Sequence, residues 1–214
     1  MCDFDNTIVS VDTGVLILSK FAEGNWRFYD ELYNRGEMHV EEVLRHQFST
    51  VRATKSSMIR AIEGSAPFTP GFEQLLQTCS QKRIPLLVVS YGLDFCIKHI
   101  LGKISQGRDP QIHAPRTRLT KNGVRFTFPR RRTEGSVNLK DDMVKCYKQR
   151  GYKVVYVGDG TSDFPAVKIA DVRYAMRGSR LAKLCDRSGL QFSKIANFDL
   201  VSDEVQSLQA ALGR

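Results

Sequence analysis

The sequence is poor in the features that would place it outside the ordinary globular class. No apolar run reaches the roughly 18 residues that a membrane-crossing helix needs, so no helical span is expected. Asp3 and Asp5 stand where a secretory leader would carry a basic and then an apolar segment, so no leader is expected either. The five cysteines (Cys2, Cys79, Cys96, Cys146 and Cys185) form no Cys-x-x-Cys pair, which argues for a reduced, cytoplasmic protein and against a zinc site. There is no internal repeat and no low-complexity tract. The net charge of +9 invites a nucleic-acid reading, yet Arg125, Arg130, Arg131 and Arg132 lack an aromatic platform or a recognisable nucleic-acid module. Nucleic acid is therefore not the expected partner. A basic surface equally suits the steering of small anionic substrates.

What is present is a chain of 214 residues, 42% apolar and 26% charged, enough for one core and a small accessory domain. It is organised around Asp3-Phe4-Asp5-Asn6-Thr7, which sets two carboxylates two positions apart where a strand leaves its sheet. Such a pair is costly without a cation. A hard divalent ion resolves the repulsion, and Mg²⁺ commonly takes one or two carboxylates together with phosphate oxygens. A second acidic turn, Gly158-Asp159-Gly160-Thr161-Ser162-Asp163, follows the apolar run at 154–157, which reads as a strand buried in a parallel sheet. A further strand at 85–89 runs into Ser90-Tyr91-Gly92. Lys140 follows Asn138, a good N-cap. A lysine in the first helical turn opposes the helix dipole, so this one is expected to meet a phosphate or a carboxylate. A hydroxyl, a lysine and two acidic turns, each at the end or start of an element, are what a phosphoryl group requires.

In this order and spacing the chain resembles phosphatases of the haloacid dehalogenase superfamily, in the group with a helical C1-type cap between the first two motifs. The four motifs correspond to Asp3-Phe4-Asp5-Asn6-Thr7, Ser90, Lys140 and the turn from Gly158 to Asp163. The resemblance implies that Asp3 is a nucleophile forming an aspartyl-phosphate and that Asp5 is the acid and base. It implies phosphoryl contacts from Ser90, the backbone near Tyr91 and Gly92, and Lys140, and Mg²⁺ held by Asp3, Asp5 (through its carbonyl), Asp159 and Asp163. Tyr91 is bulkier than the residue common at this place in relatives and is expected to narrow the pocket.

Between the first two motifs, helical spacing runs from Val11 to Phe21, then over 26–35, 40–49 and 56–62, with Gly24, Gly36 and Gly64 as breaks. This block is too long for a simple crossover helix. It is expected to be a cap domain (12–65) over a core domain (1–11 and 66–214), with Asp12, Arg45 and Gln47 as candidate substrate contacts. In the resembled phosphoserine phosphatases a Glu and a cap Arg grip the amino-acid end of the substrate; here Asp12 matches the Glu, but Gln47 stands at the place of the Arg, with Arg45 nearby. Pro67-Phe68-Thr69-Pro70-Gly71 returns the chain to the core, and a helix follows over 72–81. Asn122-Gly123 predicts a β-hairpin over 117–128, followed by a basic loop at 130–136. The remaining elements are expected as a helix at 164–170, a strand at 172–176, a helix at 180–188, a short apolar piece at 192–195 and a closing helix at 202–212.

Strand, helical insertion, then alternating helices and strands predict a three-layer α/β/α Rossmann-like parallel sheet with a small helical cap and a hairpin insertion. All four motifs then fall at the carboxyl ends of strands, where ligands bind. The expected activity is Mg²⁺-dependent hydrolysis of a small phosphorylated metabolite. In the length of the cap, in Phe68-Thr69-Pro70-Gly71, in the sequence around Ser90 and Gly92 and in the hairpin insertion the chain resembles the methionine-salvage phosphatases more than the phosphoserine phosphatases, which implies a methylthio-ketopentenyl phosphate as substrate, with phosphoserine as the neighbouring reading. One departure favours an alternative, a weak or inactive phospho-ligand-binding protein: only Met1 and Cys2 precede Asp3, where a longer central strand is expected.

Overall fold

The computed structural model describes residues 1–105 and 107–212. A tight turn over Phe4–Ile8 opens the chain, followed by α1 (Thr13–Phe21), α2 (Arg27–Asn34), α3 (Val40–Ser49), α4 (Lys55–Ile62) and α5 (Phe72–Gln81). Then come β1 (Leu87–Val89), α6 (Asp94–Leu101), β2 (Gln111–His113) and the hairpin of β3 (Arg116–Thr120) and β4 (Gly123–Thr127). The remainder is α7 (Leu139–Gln149), β5 (Val155–Gly158), α8 (Phe164–Ile169), β6 (Val172–Met176), α9 (Arg180–Arg187), β7 (Ser193–Ile195) and α10 (Asp199–Leu212). Neither β2 nor α6 was foreseen from the sequence. No helix among the described residues is long and apolar enough to cross a membrane.

The centre of the sheet is one residue wide. Cys2 bridges β1 on one side and β5 on the other, both in parallel, giving the order β2, β1, Cys2, β5, β6, β7. Five hydrogen bonds hold this stub: Cys2 N to Leu87 O and Val89 N to Cys2 O on one edge, and Asp3 N to Val157 O (these three at 2.9 Å), Val157 N to Met1 O (3.0 Å) and the Met1 amine to Val155 O (2.7 Å) on the other. Every available backbone group of the stub is thus used, so its shortness does not leave Asp3 loosely placed.

Alternation along the strands divides the core into two layers. Val88, Val157 and Tyr174 face one cluster with α5, α6 and α10, whereas Leu87, Val89, Tyr156 and Ala175 face the other with α7, α8 and α9. Helices on both faces and parallel strands make this a three-layer α/β/α fold.

The helices α1 to α4 form a block beside the sheet's carboxyl end. Local capping starts three of them: Asp12 accepts from Val15 N (2.8 Å), the His39 ring from Glu41 N (3.4 Å) and Thr54 from Ser57 N (3.1 Å). The block is held by the hairpin. Phe48 of α3 meets Phe126 of β4 edge-on at 5.3 Å, and Arg45 lies over the Phe128 ring at 4.7 Å. Gly123 packs so closely that a Cβ there would lie 2.4 Å from the Ser49 carbonyl oxygen, so no larger residue fits at this contact.

Candidate active site

The turn over Phe4–Ile8 aims Asp3 and Asp5 at different neighbours. Asn6 sits at φ 52°, a left-handed conformation that asparagine tolerates, and Val9 N closes the turn on Phe4 O at 3.1 Å. Asp3 accepts from Phe4 N at 2.8 Å on one oxygen, while the other lies 2.8 Å from Lys140 Nζ. The Asp5 carboxylate accepts from both the backbone N (2.7 Å) and the hydroxyl (2.6 Å) of Thr13, at the start of α1. The two acids that the sequence set side by side therefore do separate jobs in the structure.

Asp163 ties the second acidic turn to the first. It lies on the short turn after β5 and is fully buried. One oxygen takes Lys140 Nζ and the Tyr156 hydroxyl, both at 2.7 Å; the other takes Gly160 N at 2.8 Å and Asp159 N at 3.2 Å. Gly158 makes room: a Cβ there would fall 2.5 Å from the Asp163 carboxyl carbon. Lys140 is only 2% exposed and bridges Asp3 and Asp163, so the lysine that runs against its helix dipole is held by two carboxylates. Asn138 accepts from Lys140 N and Asp141 N to start α7 and donates to Ser162 O at 2.9 Å, locking helix to turn.

Positive charge is scarce here. Burial and the neighbouring Asp163 push the Asp3 carboxyl up to about 7 against the pull of Lys140. Burial and Asp12 push Asp5 up to about 8 despite Thr13, and burial with Asp3 and Asp163 pushes Asp159 up to about 9. For Lys140, burial alone would favour the neutral amine, but Asp163 and Asp3 outweigh it and raise the lysine above its ordinary value. Oxygens of Asp3, Asp159 and Asp163 lie within 4.8 Å of one another, and the Thr7 hydroxyl reaches Asp159 at 3.4 Å. An all-oxygen set short of positive charge fits a hard divalent cation.

Above these groups opens a cavity of about 460 Å³, floored by Asp3, Asp5 and Asp159, walled by Ser90 and Gly92, and roofed by α2 and α3. Ser90 is buried, and its hydroxyl accepts from Gly92 N at 2.9 Å. Tyr91 also lines the cavity, with its hydroxyl spent on Leu139 N at 2.9 Å. At the roof, Asp12 reaches the cavity while capping α1. Gln47 reaches it too, but its amide donates to Trp26 O (3.2 Å) and Asp30 (2.8 Å). Arg45, a candidate substrate contact from the sequence, is not among the cavity's lining residues; its guanidinium donates instead to Phe126 O at 3.1 Å and stacks on Phe128. Sequence reasoning had Thr7 in the first motif without a contact of its own, and passed over Thr13 and the Tyr156 hydroxyl. Tyr156 carried a usable signal, since a tyrosine in an aliphatic buried strand needs a partner for its hydroxyl.

The profile of haloacid dehalogenase-like hydrolases matches residues 1–168, which contain every one of these groups. The chain belongs to that family. Among similar haloacid dehalogenase-like proteins is the 2-hydroxy-3-keto-5-methylthiopentenyl-1-phosphate phosphatase of Brevibacillus brevis, 28% identical over 213 residues, covering 97% of this chain and 95% of that protein. The protein of the same name from Geobacillus thermodenitrificans is 28% identical over 215 residues, with the same coverages of 97% and 95%. Among solved structures, a phospho-aspartyl intermediate analogue of phosphoserine phosphatase superposes with a TM-score of 0.68 at 22% identity, covering 97% of this chain and 96% of its own. A family hydrolase from Salmonella enterica serovar Typhi gives 0.72 at 15% identity, over 94% of this chain and 68% of its own. These likenesses to solved structures bear on the fold.

Proposed function

We propose that the chain is a Mg²⁺-dependent phosphomonoester hydrolase that works through an aspartyl-phosphate. It is a phosphatase of its family, and the observation that carries this reading is the convergence of Asp3, Asp159 and Asp163 oxygens within 4.8 Å, with Lys140 bridging two of the acids, at the floor of a cavity.

Asp3 attacks the phosphorus of the bound ester, forming the Asp3–phosphorus bond as the bond to the leaving oxygen breaks. Asp5, held by Thr13 away from the metal-binding carboxylates, gives its proton to that oxygen. A water then attacks the aspartyl-phosphate, Asp5 takes its proton, and inorganic phosphate leaves with Asp3 restored. Lys140 and the backbone beside Ser90 and Gly92 hold the phosphoryl oxygens. Asp3, Asp159, Asp163 and the Asp5 carbonyl would hold Mg²⁺, which when bound supplies charge neutralisation for the transferring group. Helices α1 to α4 act as the cap that excludes water, with Asp12 and Gln47 facing the leaving group.

The substrate is a small phosphorylated metabolite. The names of the similar proteins and their nearly full coverage favour a methylthio-ketopentenyl phosphate or a relative of it. Gln47 carries no positive charge and is spent on Asp30, which weighs against a phosphoserine carboxylate. The binding-only reading rests on the short first strand, and the five backbone bonds that fix this stub answer that objection.

The test is hydrolysis of p-nitrophenyl phosphate. Wild type should turn it over with Mg²⁺, EDTA should abolish turnover, and Asp3→Asn should eliminate it while Mg²⁺ still raises the melting temperature. Activity that survives Asp3→Asn would sink the assignment, and phosphate binding without turnover in wild type would restore the binding-only reading.

A further inference from the structure

The roof of the cavity is attached unequally. Helix α3 is stapled to the hairpin through Gly123 against Ser49, Phe48 on Phe126, and Arg45 on Phe126 and Phe128. Helix α2 has no fully buried residue of its own. It leans on α3 through the stacked Tyr29 and His46 rings (4.9 Å) and the bond between Gln47 and Asp30. At its C-terminal end it reaches across the cavity mouth to the core, where Arg180 Nη1 donates to Asn34 Oδ1 at 2.6 Å. Arg180 is the first residue of α9, and the next residue, Leu181, donates its N–H to the Asp159 carbonyl at 2.8 Å. The contact that fixes the end of α2 is thus built on the turn that carries Asp159.

Tyr33 precedes Asn34, and both line the cavity. The charges acting on its hydroxyl are those of Lys140, Asp163, Arg180 and Asp3, and burial holds it above the ordinary tyrosine value, so it stays protonated and can donate. Among the described residues nothing accepts that hydroxyl's proton. A donor on the wall of the cavity that also holds Asp3 and Lys140 can exchange water for an oxygen of the ligand, and a phosphoryl oxygen is the acceptor this site is built to receive.

We propose that Tyr33 donates a hydrogen bond to the phosphoryl group bound at Asp3, and that Arg180 is a positioning residue that holds Tyr33 there through Asn34. The proposal rests on the phosphatase reading for the identity of the bound group. A neutral donor from the cap adds to the charged donors of the core and makes phosphoryl binding depend on α2 being closed. Because α3 is stapled, α2 is the part of the roof free to swing away and admit substrate.

Two measurements on the full chain with Mg²⁺ test this: calorimetric binding of inorganic phosphate, and kcat and KM for p-nitrophenyl phosphate. Tyr33→Phe removes only the hydroxyl and should weaken phosphate binding and lower kcat/KM by about tenfold to a hundredfold, the range of one charge-assisted bond, with the melting temperature unchanged. Arg180→Ala should cause part of the same loss in an otherwise wild-type chain and no further loss when Tyr33→Phe is already present. Wild-type phosphate affinity and kcat/KM in Tyr33→Phe would overturn the contact. Losses from Arg180→Ala that add in full to those of Tyr33→Phe would overturn the positioning role. If wild type hydrolyses nothing yet Tyr33→Phe still weakens phosphate binding, the contact stands and the phosphatase reading alone fails.

Discussion

Two regions of this molecule crowd like charges, and they do so at opposite extremes of burial. Beneath the cavity, the carboxylates of Asp3, Asp159 and Asp163 crowd together, and Asp3 and Asp163 share the buried Lys140. On the outer face of the hairpin, Arg118 and Arg125 stand directly opposite each other in the antiparallel register, both exposed. In the first region repulsion is unscreened, so the carboxyls are pushed upward and every acid is tied to Lys140, a hydroxyl or a backbone N–H. In the second, neither arginine has an ion-pair partner among the described residues, and water does the screening. Internal cations are thus needed where water is excluded, and the difference should appear in how much each region loses or gains when one charge is changed.

The largest effect is expected at Lys140. Lys140→Met keeps much of the side-chain volume but leaves Asp3 and Asp163 buried without their shared partner. Breaking a buried pair from one side costs about 3–5 kcal/mol, so urea unfolding should show a loss of that size. Saturating Mg²⁺ should recover part of it. A loss below 1 kcal/mol would mean that the buried acids accommodate each other without Lys140, and the contrast between the two regions would collapse.

Asp142 is expected to show an effect of intermediate size. It is buried at the start of α7 but is met by neutral donors: Arg132 N (3.0 Å), Thr133 N (2.8 Å) and the Thr133 hydroxyl (2.6 Å), which pin the basic loop at 130–136. Burial works against the ionised form, but the Thr133 hydroxyl and these N–H groups prevail and hold the carboxyl below its ordinary value. Asp142→Asn should cost about 1.5–3 kcal/mol at neutral pH. A folded-state value below the unfolded one means the contribution is present above the ordinary aspartate range and fades as pH falls through it toward the folded value. Wild type should therefore lose its advantage over Asp142→Asn in acid, and an advantage that grows in acid would contradict this account.

The floor of the site was legible in the sequence because Ser90 and the turn that carries Asp159 each follow an apolar strand, and parallel strands deliver their carboxyl ends to one edge. Asp3, Ser90 and Asp159 needed no knowledge of packing to be brought together. The roof was harder. Positions 45 and 47 lie about 200° apart around a helix, so only one of them can face the cavity, and a spacing of two does not say which. The hairpin decided it by claiming Arg45, through an aromatic pair and a glycine contact that no local pattern announces. Tyr33 and Arg180 escaped for a related reason, since one lies in the helical insertion and the other far along the core. Of the elements, β2 is three residues long in a turn-rich stretch, too short for any alternation to register.

The smallest effect returns to the hairpin. If water screens the Arg118 and Arg125 pair as the comparison requires, their mutual repulsion is a weak cost. Arg118→Glu turns a like-charge cross-strand pair into an opposite one, and such pairs are worth about 0.2–1 kcal/mol. The variant should be more stable by an amount in that range, and the gain should shrink as salt is added, because the Debye length falls from about 10 Å at 0.1 M to about 3 Å at 1 M. Arg125→Glu should give the same gain, while both changes together should cancel it by restoring two like charges. A gain that survives high salt would show that the benefit comes from strand propensity or packing, and the charges on this face would then have no part in the stability of the hairpin.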